Sequence, residues 1–161
     1  MNKKPIKRNE NIVRLSKEHH LGLLFCWKIR QGLKAEIATS RLIKYVQYFA
    51  THLLLPHFKE EEVIFLILSD DQLVTKAIEQ HKEINIQLDK LSDNSEEILK
   101  RHLAEFAFMV DNHIRFEERE LFPHMEIMLS HEQLEAVGKQ LNDLHELPMK
   151  DNYEDEFWVK R

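Results

Sequence analysis

The chain has 161 residues, with 28 acidic and 23 basic side chains and a net charge of −5, which suits a single domain and leaves no large basic face for nucleic acid. Three glycines and four prolines among abundant Leu, Ile, Glu and Lys favour helices over sheets, and the lone cysteine, Cys26, excludes an internal disulfide and a multi-cysteine zinc site. No apolar run reaches the roughly 18 residues of a membrane span, and no apolar stretch follows the opening MNKKPIKRNE as a signal peptide requires, so a cytoplasmic protein is expected.

Residues 1–10 hold Lys3, Lys4, Lys7 and Arg8 and read as a flexible, solvated basic arm. From Asn11 to about Leu33, the residues Ile12, Leu15, Leu23, Cys26, Ile29 and Leu33 recur at spacings of three and four, the pattern of an amphipathic helix. A second helical pattern runs from Ile37 through Leu42, Tyr45, Val46, Phe49 and Leu53 to Leu68, with Pro56 predicting a bend or local break just ahead of His57. A third spans about Asp71 to Leu91, and a fourth about Glu96 to Leu129, capped by Ser95 and kinked at Pro123. A shorter fifth helix covers about His131 to His145. The expectation is therefore an all-α, antiparallel up-down four-helix bundle over 11–147 with a short C-terminal fifth helix. Residues 148–161 form an acidic and aromatic tail, either loosely packed or docked through Tyr153, Phe157 and Trp158.

Helices two and four carry the same word: His57-Phe58-Lys59-Glu60-Glu61-Glu62 and His113-Ile114-Arg115-Phe116-Glu117-Glu118. In a helix, His and Glu four apart differ by about 40° in direction and about 6 Å in height, so both reach one point. Imidazole and carboxylate together suit iron, manganese or zinc. Each word lies on an apolar stripe, where an unpartnered His-Glu pair would cost several kcal/mol and a cation would remove that cost. His81 is flanked by Ala77, Ile78, Ile84 and Leu88 and points to the same interior. On the first helix, His19 has the drier face (Ile12, Leu15, Leu23, Cys26), whereas the alternative, His20, sits among Ser16, Lys17 and Lys34. His52, His102, His131 and His145 read as surface residues. His124 shares the face of His113 but lies about 16 Å along the axis, while Glu120 on that face is a candidate acceptor for an imidazole N–H.

These residues resemble the hemerythrin-like, or HHE cation-binding, family over roughly 10–130: a His on helix one, His-x-x-x-Glu on helix two, a His on helix three and His-x-x-x-Glu on helix four, with Phe65 and Leu121-Phe122-Pro123 in matching places. The resemblance implies two non-haem iron ions, replaceable by Mn or Zn, with a bridging oxo or hydroxo group. It assigns His19 and His57 to one iron, His81 and His113 to the other, and Glu61 and Glu117 to both. Oxygen-carrying members have a second helix-three histidine where this chain has Asn85, which leaves a more open site for dioxygen, nitric oxide or peroxide. No phosphate loop, nucleophile elbow or nucleotide fingerprint competes with this reading. The resulting expectation is a small-ligand binder acting in sensing, iron storage or release, or stress response. A di-iron enzyme consuming peroxide or activating oxygen, and a metal-free helical interaction module, are the alternatives.

Overall fold

A computed structural model describes residues 7–144 and 147–160, and among these the chain is helical with no strand. Helix α1 is Val13–Lys34; α2 (Thr39–Phe49) and α3 (Leu55–Phe65) are joined without interruption through a π-helical turn, Ala50–Leu54; α4 is Gln72–Asp89. Helices α5 (Glu96–Phe116) and α6 (Phe122–Met128) are joined in the same way through Glu117–Leu121, and α7 is His131–Leu144.

Both π turns end two residues before a proline. Pro56 and Pro123 cannot donate a backbone hydrogen bond, and in a regular helix each ring would strike the carbonyl four residues back. The backbone widens instead: Leu55 N–H bonds the Ala50 carbonyl and Phe122 N–H bonds the Glu117 carbonyl, each reaching five residues back. The break expected at Pro56 and the kink expected at Pro123 thus take the form of widened turns, one just before His57 and one beginning at Glu117.

The helix starts follow local chemistry. The Asp71 carboxylate accepts from Leu73 N (2.9 Å) and Val74 N (3.3 Å) to cap α4, and Ser95 Oγ accepts from Ile98 N (3.4 Å) to cap α5. After α1 the chain turns through Glu36, whose φ is 55°, with Ile37 N bonded to Gly32 O and Glu36 N to Leu33 O. That is a Schellman turn with glutamate in the left-handed position glycine usually fills.

Two apolar clusters organise the interior. One contains Phe25, Cys26, Ile29, Leu42, Phe49, Ile84, Leu103, Phe106 and Val110; the other contains Ile12, Leu15, Ile64, Phe65, Val74, Ala77, Leu121, Phe122 and Met125. The chain runs from the second to the first along α1, back along α2–α3, forward along α4 and back along α5–α6. Between the clusters lies a layer of buried polar residues to which each passage contributes.

The tail is docked. Phe157 is buried, the Tyr45 hydroxyl donates to Asp151, Lys28 Nζ lies 3.2 Å from the same carboxylate, and Lys28 also sits 4.0 Å above the Trp158 ring. At the other end Arg8 departs from the solvated arm: its side chain is buried against Glu126 (2.5 Å) and the Glu118 carbonyl (2.9 Å). Lys3, Lys4 and His145 lie outside the described residues.

Candidate metal centre

The polar layer gathers all six residues singled out in the sequence. His19 comes from α1, His57 and Glu61 from α3, His81 from α4, His113 from α5 and Glu117 from the π turn that follows it. All are buried, and Glu61 and Glu117 have no exposed surface at all. His20 is exposed, whereas His19 lies within the layer.

The donor atoms form two groups, His19–His57–Glu61–Glu117 and His81–His113–Glu61–Glu117, each with atoms within 4.8 Å of one another and each able to hold a metal ion. Both carboxylates belong to both groups. In the first, His19 Nε2 is 3.0 Å from Glu117 Oε1 and 3.4 Å from Glu61 Oε2, and His57 Nε2 is 3.3 Å from Glu61 Oε2. In the second, His81 Nε2 is 3.1 Å from Glu61 Oε1 and His113 Nε2 is 3.0 Å from Glu117 Oε1.

Every imidazole turns Nε2 inward, and its Nδ1 faces an oxygen on a neighbouring helix. His57 Nδ1 pairs with Glu18 (2.7 Å), His113 Nδ1 with Gln80 (2.7 Å), His19 Nδ1 with Glu118 (3.5 Å) and His81 Nδ1 with Glu62 (3.5 Å). Such contacts fix ring orientation and tautomer in metal-ligating histidines. Aromatic rings add a second restraint: Phe58 stacks on His81 at 3.9 Å and Phe122 on His19 at 5.2 Å.

These outer partners were not anticipated, although the words contain the signal. In each, the glutamate after the shared carboxylate (Glu62, Glu118) reaches the histidine of an adjoining helix, and the residue before each lone histidine (Glu18, Gln80) reaches the histidine of a word. Glu120 is exposed, and its neighbour Glu118 takes the role foreseen for it. Asn85 also differs from expectation. It is exposed and its amide donates to the His81 carbonyl (3.0 Å), so it does not line the centre; the buried residues one turn from His81 are Ala77 and Ile84. His124 is held by Asp71 (2.5 Å), away from the centre, and His102 by the Lys90 carbonyl, while His52 and His131 are exposed.

The ionisable groups of the layer perturb one another strongly. Burial disfavours imidazolium, yet the surrounding glutamates outweigh it, lifting His57 to about 9 and His81 to about 11, and His19 well above its ordinary range. Burial likewise opposes ionisation of Glu61 and Glu117, but the histidines hold Glu61 well below the usual carboxylate range and Glu117 at about 2. The shifts run in opposite directions, imidazoles up and carboxylates down, as expected of groups that favour opposite charges beside one another. Meanwhile Glu61 Oε2, Glu117 Oε2 and His57 Nε2 are buried without a hydrogen bond. A cation between the carboxylates would satisfy all three atoms and replace the protons.

Beside His57 lies a carboxyl pair. Burial and a hydrogen bond to Glu18 push Glu60 up to about 8, whereas contact with His57 holds Glu18 low despite its burial. A chamber of about 10 Å³, room for roughly one water-sized molecule, opens beside His19, His57 and His113 and is walled by Gly22, Leu53 and Ile114. A Cβ at Gly22 would stand 2.5 Å from Ile114 Cδ1, so the Ile114 side chain would have to turn aside to admit one.

Compared with known protein families, curated proteins and solved structures, the chain matches none of them. No helix among the described residues is long and apolar enough to cross a membrane.

Proposed function

We propose that this is a hemerythrin-like, non-haem di-iron protein of the cytoplasm that binds a small diatomic ligand, dioxygen or nitric oxide, with its four helical passages forming an antiparallel up-down bundle. The observation that carries the reading is the pair of two-histidine groups sharing Glu61 and Glu117. His19 and His57 would hold one iron, His81 and His113 the other, and the two glutamates would bridge them. His19 Nε2 and Glu117 Oε1 lie 3.0 Å apart, and His57 Nε2 and Glu61 Oε2 3.3 Å, close enough for these residues to hold one ion together. Ferrous iron there would supply electrons and open coordination positions to the incoming ligand. The chain's own contribution is to keep the imidazoles in place through Glu18, Gln80, Glu62 and Glu118, and to exclude bulk water with the two apolar clusters. Ligand choice follows from size and polarity: the chamber beside the centre admits one small molecule and is mostly apolar.

One observation favours a second reading, turnover of peroxide. Glu60, pushed up to about 8 by burial and by Glu18, stands in one group with Glu18 and His57 and could supply a proton in such a reaction.

Anaerobic reconstitution with ferrous iron tests both. About two irons per chain and a spectral change on adding nitric oxide are expected. Sustained peroxide loss over many equivalents would shift the assignment to the enzyme. Iron content below about one per chain would overturn the di-iron reading and leave a metal-free helical module.

A further inference from the structure

The chamber beside the centre is lined by helical residues together with Met149 from the tail. A surface groove of about 370 Å³, edged by Val13, Lys17 and Pro148, lies on its outer side. Three residues line both spaces: Glu18, Leu21 and Met149. Glu18 is tied to His57 through a 2.7 Å contact, and the backbone of Leu21 is held within α1. Met149 is different. It belongs to no helix, is only half-buried, and packs against the apolar cluster that includes Leu53 and Ile114.

Its position is nonetheless fixed. Two residues on, Asp151 is held by Tyr45 and Lys28, and Asn152 N donates to the Tyr48 hydroxyl at 3.1 Å. The side chain is unbranched, with several rotatable bonds, and can swing between staggered positions on a picosecond-to-nanosecond scale while its backbone stays put. We propose that Met149 is the movable wall through which small apolar ligands enter and leave the chamber. This deepens the small-ligand reading of the centre and rests on it for the identity of the ligand. The surrounding groove is wide enough for larger solutes, so Met149 also sets the size limit: a diatomic passes on side-chain rotation, whereas a larger polar solute is turned back by the apolar wall.

A wall lowers or raises the barrier equally in both directions, so changing it alters association and dissociation rates together and leaves affinity alone. A residue lining only the chamber, such as Leu53, changes the bound state and therefore the affinity. The test is stopped-flow binding and release of nitric oxide by the iron-loaded protein, comparing the parent with Met149→Ala, Met149→Trp and Leu53→Ala. In parallel, dissolved dioxygen serves as a paramagnetic probe of the Leu53 and Ile114 methyl groups in the protein purified without iron. The expected result is rates about fivefold or more faster in both directions for Met149→Ala and slower for Met149→Trp, with Kd within about twofold, and methyl relaxation following the same order. Parent protein that binds nitric oxide, with both Met149 variants within about twofold of its rates, overturns the gate and leaves the di-iron reading intact. A parent that takes up no iron sinks the di-iron reading instead; the methyl relaxation then decides the gate, and equal relaxation in all Met149 forms overturns it.

Discussion

In the half of the site built by α1 and α3, Glu18 precedes His19 and bonds Nδ1 of His57; in the half built by α4 and α5, Gln80 precedes His81 and bonds Nδ1 of His113. The inner donors are the same in both halves and the surroundings are not. Around Glu18 stand Arg14, whose Nε is 3.6 Å from it, and Glu60, whose carboxyl burial pushes up to about 8. The corresponding places in the second half hold Lys76 and Phe116, whose ammonium and ring meet 4.5 Å apart. An ion pair and an acid pair on one side are thus matched by a cation–π contact and an amide on the other. Repetition of the words fixes donor type, and the flanking residues set the field each half feels. The α1–α3 half is the more anionic, and an ion there should be held more tightly by charge.

The largest effect should come from the carboxylates that the halves share. Glu117→Ala removes a donor from both groups, and the metal content of iron-reconstituted protein should fall from about two per chain to near zero. His113→Ala touches the second half alone and should leave about one metal per chain, retained by His19, His57 and Glu61. Equal content in the two variants would break the division into halves.

The next effect concerns protons. In the metal-free protein His57 and His81 have folded pKa values raised to about 9 and about 11, above the roughly 6.5 of an unfolded chain. Their contribution is fully present below about 6.5 and is lost as pH rises through those values. For His57 alone the shift corresponds to on the order of 3 kcal/mol. The melting temperature of metal-free protein should therefore fall by several degrees between pH 7 and 10, roughly. Metal replaces the protons, so the loaded protein should lose far less over that range, and metal uptake near neutral pH should release protons that a pH indicator can count. The carboxylates act at the acid end: Glu117, held at about 2, contributes stability above its unfolded value of about 4.5 that disappears as pH falls toward 2.

Exchanging the outer partners sharpens the comparison without touching a donor. Glu18→Gln gives His57 the same amide partner that His113 has, and should weaken the α1–α3 half about tenfold in a chelator competition. Gln80→Glu should do the reverse for the other half. If neither substitution moves the corresponding affinity by more than about twofold, the outer contacts do not tune the halves.

Much of this was legible before any coordinates, because helical periodicity is a local property. The i, i+4 spacing of His57–Glu61 and His113–Glu117, and the apolar neighbours of His81 and His19, place each donor on an inward face whatever the packing. What escaped depends on contacts between helices. Gln80 is marked only by its place before His81, and Tyr153, Phe157 and Trp158 left docking of the tail open without naming Tyr45 and Lys28 as the partners of Asp151. Asn85, which stands where the resembled family has a second helix-three histidine, is exposed and its amide bonds back to the His81 carbonyl. Pro56 and Pro123 announced irregularity; that it would take the form of a π turn on either side of the donors follows only from the need to keep both helices running through the layer.

The smallest effect lies outside both halves and serves as their control. Glu36 occupies a left-handed conformation, φ 55°, that costs a side-chain-bearing residue about 1 kcal/mol relative to glycine. The Schellman hydrogen bonds from Ile37 N and Glu36 N do not involve its side chain, so Glu36→Gly keeps them and removes the strain. Against that, glycine widens the unfolded ensemble, which offsets part of the gain. The net expectation is a melting temperature higher by about 1–3 °C, with metal content, chelator affinity and pH dependence unchanged. A change in metal binding from this substitution would mean that the α1–α2 turn sets the position of His19, and that the two halves are coupled through α1 as well as through Glu61 and Glu117.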